Sequence, residues 1–236
     1  MLRISAVTNL DTTSWRVGYD ILSAFSDGDS RLIPESLYQW ENKISDFNSV
    51  SACEPYWAQV AVMQAQGLKM DFPMGLRWKR KKVVKYDAEI NHTHRNIKGD
   101  VVEGSLVVEA QYHRKVEWLD VFRNVCSAMR PRYALMHIFS QDEISSVKVG
   151  SLESCFSSGV LYQGKIPDIG WAIFCGDDLA GLVDSFRISV AGFSVEELGN
   201  GFLIRVTEDL QDVVEDFSLF SRRRAELKSL FKEGYF

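Results

Sequence analysis

The sequence predicts an α+β fold, with a mixed, largely antiparallel sheet, several packed helices and amphipathic helices at the C-terminal end. Three observations point there. The hydrophobic period switches several times between helical and strand spacing along the chain. The strand-like segments do not alternate strictly with helical ones, as a parallel βαβ sheet requires. Gly199–Asn200–Gly201 stands between two apolar runs and carries residues suited to the positive φ of a hairpin turn. With 236 residues and no internal repeat, low-complexity tract or Pro-rich linker, one domain over residues 1–236 is expected.

The elements follow in order. Residues 2–8 have the look of a short strand. Trp15 to Phe25, with Val17, Tyr19 and Leu22 between, reads as a short helix or an irregular aromatic segment. Leu37, Trp40, Ile44 and Phe47 recur at helical spacing after Pro34, which predicts a helix over 32–47. A further helix is expected over 55–66, with Pro55 early, Trp57, Val60, Ala61 and Gln64 in register, and Gly67 to end it. From Trp78 to Tyr112 the period shortens and β-branched residues accumulate, so strands are predicted, with turns or bulges at Asn96–Gly99 and Glu103–Gly104. Helical spacing returns through Trp118, Val121, Phe122, Val125 and Met129 until Pro131 stops it. Tyr133–Phe139 and Trp171–Cys175 are short apolar runs of the kind buried on both faces of a sheet. A helix over 179–191, the hairpin strands 193–195 and 202–207, and helices over 207–220 and 222–232 complete the prediction.

Hydrophobic content of 46% and charged content of 25% are ordinary for a globular protein. The net charge of −5 argues against whole-molecule attraction to nucleic acid or anionic membrane. Charge is uneven, however. Arg77 to Lys115 holds ten Lys or Arg against five Asp or Glu, whereas Asp177 to Asp216 holds ten carboxylates against two arginines. Cys53, Cys126, Cys155 and Cys175 share no CxxC spacing and sit among small or apolar residues, as free buried thiols do in a reducing compartment. The first residues lack the apolar core of a signal peptide, and no run approaches the roughly 20 apolar residues of a membrane span. A cytoplasmic location is expected.

The most informative stretch is Thr207–Phe220. On a helix turning about 100° per residue, Glu208, Asp209, Asp212, Glu215 and Asp216 fall within a sector of about 120°. Leu210, Val213, Val214, Phe217 and Phe220 take the other side, and Thr207 can cap the first turn. Five carboxylates on one face repel one another. Such a face is ordinarily solvated surface, and its sharper use is docking of a basic protein. Asp177 and Asp178, after an apolar strand, are further candidates for such contact. They suit an N-cap for the next helix better than a Mg²⁺ site, since no second acidic motif accompanies them.

Other chemistry finds little support. HExxH, GxSxG, GxxxxGK[ST] and GxGxxG are all absent, so no catalytic residue and no cofactor are expected. His92 and His94 would share one strand face, but no third ligand stands at a recognised spacing, and no metal is expected. The basic run Arg77–Trp78–Lys79–Arg80–Lys81–Lys82 fits a solvated or edge strand better than a nucleic-acid site in so acidic a chain. An alternative function remains, a small ligand-binding domain or enzyme with a pocket near Trp171, Asp177 and His137.

Three segments together resemble a known family. They are EWLDVFRNVCSAMRPRYALMHIF (residues 117–139), GVLYQGKIPDIGWAIFCGDD (159–178) and FLIRVTEDLQDVVEDFSLFSRRRAEL (202–227). A helix ending in Arg-Pro-Arg-Tyr before an apolar strand, an Ile-Pro-Asp-x-Gly-Trp strand entry, and a strand passing through Thr into an acidic helix look like polymorphic-toxin immunity proteins, specifically immunity family fifty-two. The resemblance covers about the last half of the chain. It implies a cytoplasmic, non-enzymatic protein that binds and neutralises a cognate toxin, a nuclease effector of a type VI or contact-dependent secretion system. Arg130, Pro131, Tyr133, Pro167, Trp171 and Thr207 match the pattern as fold determinants. The resemblance does not locate the interface; the assignment of Glu208, Asp209, Asp212, Glu215, Asp216, Asp177 and Asp178 to it rests on charge alone.

Overall fold

The computed structural model describes residues 1–65, 68–146, 161 and 163–236. The fold is α+β, and the described residues gather into two compact units, Ala6–Arg130 and Met1–Ser5 with Pro131–Phe236. The chain opens with the strand β1 (Leu2–Thr8), which buries Leu2, Ile4 and Ala6 in alternation.

In the unit Ala6–Arg130, Trp15–Ser26 is the helix α1, and its apolar stripe buries Ile21, Leu22 and Phe25. The strands are β2 (Ser36–Gln39), β3 (Asn42–Asp46), β4 (Val60–Ala65), β5 (Leu68–Pro73), β6 (Leu76–Arg80), β7 (Tyr86–Asn91), β8 (His94–Arg95), β9 (Val101–Val102) and β10 (Gly104–Ala110). The helix α2 (Trp118–Met129) closes the unit. Five strands lie in the order β10-β7-β6-β2-β3 with antiparallel neighbours, while β4–β5 and β8–β9 are separate two-stranded ribbons. Phe25 meets Trp78 edge-on at 5.5 Å and stacks on Tyr86 at 5.4 Å, which seats α1 on β6 and β7.

Two predicted helices are absent. Residues 32–47 form the hairpin β2–β3, because Leu37 pairs across the sheet with Trp78 and Trp40 takes φ +50 at the turn. A spacing of three to four residues is also produced by a strand, a tight turn and a returning strand. Residues 55–66 divide between a 3₁₀ turn over Ser51–Tyr56 and the strand β4. Ala58 at φ +50 ends the turn, and Val60, Ala61 and Val62 pair with Pro73, Phe72 and Asp71. Gln66 and Gly67, at the end of that predicted helix, lie outside the described residues. The basic run is not an edge: β6 is paired on both sides, Trp78 is fully buried, and Arg77 and Lys79 both bond Asp87.

The second unit contains β11 (Tyr133–Ile138), α3 (Gln141–Ser146), β12 (Ala172–Gly176), α4 (Ser185–Val190), β13 (Ser194–Leu198), β14 (Gly201–Arg205), α5 (Asp212–Glu215) and α6 (Phe217–Leu230). Its strands run in the order β13-β14-β12-β11-β1, and Met1 and Phe139 exchange both backbone hydrogen bonds at 3.1 and 2.7 Å. All residues of β11 and β12 are buried, as their continuous apolar runs predict. Gly176 faces Gly201 across β12 and β14, and a Cβ on Gly201 would stand 2.1 Å from the Cys175 carbonyl oxygen. The backbone approach there admits only glycine.

Candidate partner-binding site

The acidic segment begins where β14 ends. Val206 donates its N–H to the Trp171 carbonyl at 2.8 Å, which carries the sheet one residue further. Thr207 then accepts the Trp171 indole N–H at 3.0 Å and donates to the Asp209 carbonyl at 3.1 Å. Its hydroxyl fixes a turn and caps no helix, contrary to the sequence expectation.

The predicted helix over 207–220 does not form as one element. One helical turn, α5, spans Asp212–Glu215, and Asp216 leaves helical geometry at φ −139 and ψ 66. The Asp216 carboxylate accepts the Leu219 N–H at 2.9 Å and so caps α6. The cause is chemical: an Asp gains more at an N-cap than inside a helix, and the crowded carboxylates do nothing to hold the long helix together. The single 120° stripe is therefore overturned as a geometry. Its residues still reach the surface, with Glu208, Asp209, Glu215 and Asp216 exposed and Asp212 half-buried. Val213 and Phe220 enter the core, whereas Val214, expected there as well, is 47% exposed.

Two of these carboxylates, Glu208 and Asp212, border a cleft of about 270 Å³. Gly192, Phe193 and Ser194, where the chain passes from α4 into β13, also line it. Its two arginines are already engaged. Arg205 donates to Ser194 Oγ at 2.8 Å and to the Glu208 carbonyl at 3.1 Å, and pairs with the Glu208 carboxylate at 3.2 Å. Arg223 lies over the Phe193 ring at 3.8 Å and bonds both the Gly192 carbonyl and Glu226. Asp209, Glu215 and Asp216 thus add outward negative charge, while that of Glu208 is partly offset.

Asp177 and Asp178 are exposed, and each is tied to a neighbouring side chain. Asp177, at φ +50, accepts the Asn200 amide at 2.7 Å, and Asp178 makes a bidentate pair with Arg132 at 2.7 and 2.8 Å. The Arg132 hydrogen bonds hold the Asp178 carboxyl below its ordinary range. Neither carboxylate caps the helix predicted over 179–191. That region is a 3₁₀ turn over Asp177–Leu182 followed by α4, whose N-cap is Asp184, accepting from the Arg187 N–H at 3.0 Å.

Trp171 and His137 do come together, but as core. His137 Nδ1 accepts the Trp171 N–H at 3.1 Å, so the neutral ring carries its proton on Nε2. Nε2 stands 3.5 Å from Glu143 Oε1, and Arg224 bonds that oxygen at 2.6 Å. Burial pushes the Glu143 carboxyl up, but the facing His137 and Arg224 outweigh it and hold it at about 2. Asp177 lies at the other end of β12, away from this pair.

A concave site that the sequence did not announce lies in the unit Ala6–Arg130. It encloses about 660 Å³ and is lined by Asp11, Trp57, Asp71, Thr93, His94 and Arg95 among others. Five separated stretches of chain meet there, so no local motif marks it. His92, just behind, donates from Nδ1 to the Thr12 carbonyl at 3.1 Å, and the Trp57 indole donates to the same oxygen at 3.0 Å. His94 Nδ1 is turned to the His92 carbonyl at 3.0 Å. Among the described residues no group of three or more His, Cys, Asp or Glu is arranged to hold a metal. Cys53, Cys126 and Cys175 are free and buried, and burial raises the Cys53 thiol to about 11 and the Cys175 thiol to about 12. Cys155 lies outside the described residues. No described helix is long and apolar enough to cross a membrane.

No family model matches the chain, and no curated protein is similar to it. Among solved structures, the chain is similar to the Pseudomonas aeruginosa T6SS protein PA0821. The TM-score is 0.53 at 10% identity, over 99% of this chain and 84% of that one. The likeness is one of fold. It extends over nearly the whole chain, including the first hundred residues, where the sequence carries no quotable motif.

Proposed function

We propose that this chain is a non-enzymatic immunity protein that binds and neutralises a cognate antibacterial toxin, a nuclease effector of a type VI or contact-dependent secretion system. It would act in the cytoplasm. The observation that carries the reading is the fold that nearly the whole chain shares with most of a T6SS protein. The exposed carboxylates Glu208, Asp209, Glu215 and Asp216, with half-buried Asp212, support it. A nuclease grips phosphates with a basic surface, and an inhibitor can meet that surface with carboxylates of its own. Asp177 and Asp178 are exposed as well and remain outside candidates, each already bonded, to Asn200 and to Arg132.

The test is recovery of the tagged chain from its own bacterium, with identification of what co-purifies. The partner must kill cells when expressed alone and spare them when this chain is co-expressed. Failure of every co-purifying protein to kill would remove the immunity reading. The second reading, a ligand-binding domain, then gains weight from the 660 Å³ cleft at Trp57 and His94.

A further inference from the structure

Residues 207–211, between β14 and α5, belong to no helix or strand. Such a segment has no ladder or helical turn of its own, and it keeps one shape only where side chains hold its backbone. Here two successive carbonyls are held. That of Glu208 accepts from Arg205 Nη1 at 3.1 Å, and that of Asp209 accepts from the Thr207 hydroxyl at 3.1 Å.

Both holding side chains are themselves anchored on the sheet. Arg205 stands opposite Ser194 in the β13–β14 pair and donates to its Oγ from Nε at 3.2 Å and from Nη2 at 2.8 Å. Thr207 accepts the indole N–H of Trp171, which is 2% exposed. Val206 and Val213, on either side of the segment, are buried. The turn therefore presents Glu208 and Asp209 to solvent from a fixed backbone. Arg205 also pairs with the Glu208 carboxylate at 3.2 Å, which subtracts from the negative charge shown outward. For attracting a cationic partner, an arginine at this place is a loss. For fixing the turn, it is the central contact. Ordering a loop at the moment of binding costs affinity, and a loop already ordered avoids that cost.

We infer that Arg205 and Thr207 are positioning residues, which pre-form the acidic turn Glu208–Asp212 as a rigid docking edge for a basic surface of the toxin. The inference rests on the immunity reading and deepens it by assigning the shape of the interface to two residues that charge alone would pass over or count against it.

The test uses the full-length chain and the toxin verified by killing and rescue, with binding kinetics followed at 0.1 M salt, well below each variant's melting transition. Arg205→Gln makes the surface more acidic, so by charge alone it should tighten the complex. Pre-formation reverses the sign: Kd should weaken about tenfold through faster dissociation, with association no slower. Arg187→Gln, which removes one positive charge from the exposed surface of α4, should leave Kd unchanged or slightly tighter. Thr207→Val releases the Asp209 carbonyl with no change in charge and should weaken Kd in the same direction, while Thr207→Ser should restore it. If Arg205→Gln does not fold, the Thr207 pair decides. A complex with Arg205→Gln as tight as wild type, or a Thr207→Ser variant no better than Thr207→Val, overturns the inference and leaves the immunity reading standing. The absence of any neutralised toxin removes that reading. Backbone NMR order parameters of the free chain test the turn without the toxin. Residues 207–211 should match the rigid sheet at about 0.85, and values below about 0.6 in the wild type would overturn pre-formation by themselves.

Discussion

Val83 occupies φ +58 in the turn between β6 and β7, a left-handed conformation that a β-branched side chain tolerates poorly. It is 68% exposed, so little packing depends on it. Val83→Gly should therefore stabilise the protein by about 1 kcal/mol, after glycine's own entropy cost offsets part of the relief. A raised urea midpoint with unchanged slope would show it. His92 supplies a pH effect at the same scale. Burial lowers its pKa from the ordinary 6.5 to about 4, opposed in part by its bond to Thr12. Because the folded value lies below the unfolded one, this contribution is complete above about pH 6.5 and is lost as pH falls towards 4, by up to about 3 kcal/mol. His92→Asn keeps a donor for the Thr12 carbonyl but has no titration, and should flatten the decline in melting temperature between pH 7 and 4. A decline as steep as wild type would place the effect elsewhere, with buried His137 the first suspect, since its pKa is also lowered by burial.

At the scale of elements, α3 is tied to α6 by a buried carboxylate. Glu143 is 1% exposed and bonds Arg224 at 2.6 Å, while His137 on β11 faces it. Glu143→Ala would leave the Arg224 guanidinium without that partner in a largely buried place, and a loss of about 3 kcal/mol is expected in chemical denaturation. Double replacement with Arg224→Met should recover part of it, because the isolated charge is gone. Elements like these also show what the sequence could reveal. Tyr133–Phe139, the Gly199–Asn200–Gly201 hairpin and the Trp118–Met129 helix were legible because their patterns are local and unambiguous. The β2–β3 hairpin was not, since the pairing of Leu37 with Trp78 across forty-one positions outweighs a helical spacing. The acidic segment was legible as charge but not as shape. Its helix breaks because Asp216 caps α6, a competition that periodicity does not register. The cleft at Trp57 depends on tertiary packing, so it had no local signal.

At the scale of the whole molecule, the uneven distribution of charge suggests how a partner would be met. The ten carboxylates of Asp177–Asp216 are not all available to it. Asp178 is neutralised by Arg132 and Glu208 partly by Arg205, while Asp209, Glu215 and Asp216 remain exposed. The basic run of β6 is offset only in part: Arg77 and Lys79 share Asp87, while Lys81 and Lys82 are exposed. The outward field is thus acidic near the C-terminal segment, which suits a cationic partner there. Charge of this kind acts mainly on encounter. The Debye length shrinks from about 10 Å at 0.1 M salt to about 3 Å at 1 M, so steering fades while close contacts persist. The association rate with the toxin should therefore fall about tenfold or more over that range, with dissociation changing much less. Reversing Asp209, Glu215 and Asp216 to Lys should lower the rate at 0.1 M and remove most of its salt dependence. Asp216→Lys also deletes the cap of α6, so Asp216→Asn, which keeps an acceptor for the Leu219 N–H, must accompany it to separate steering from folding. If association proves indifferent to salt in the wild type, carboxylate mimicry of a polyanion is wrong.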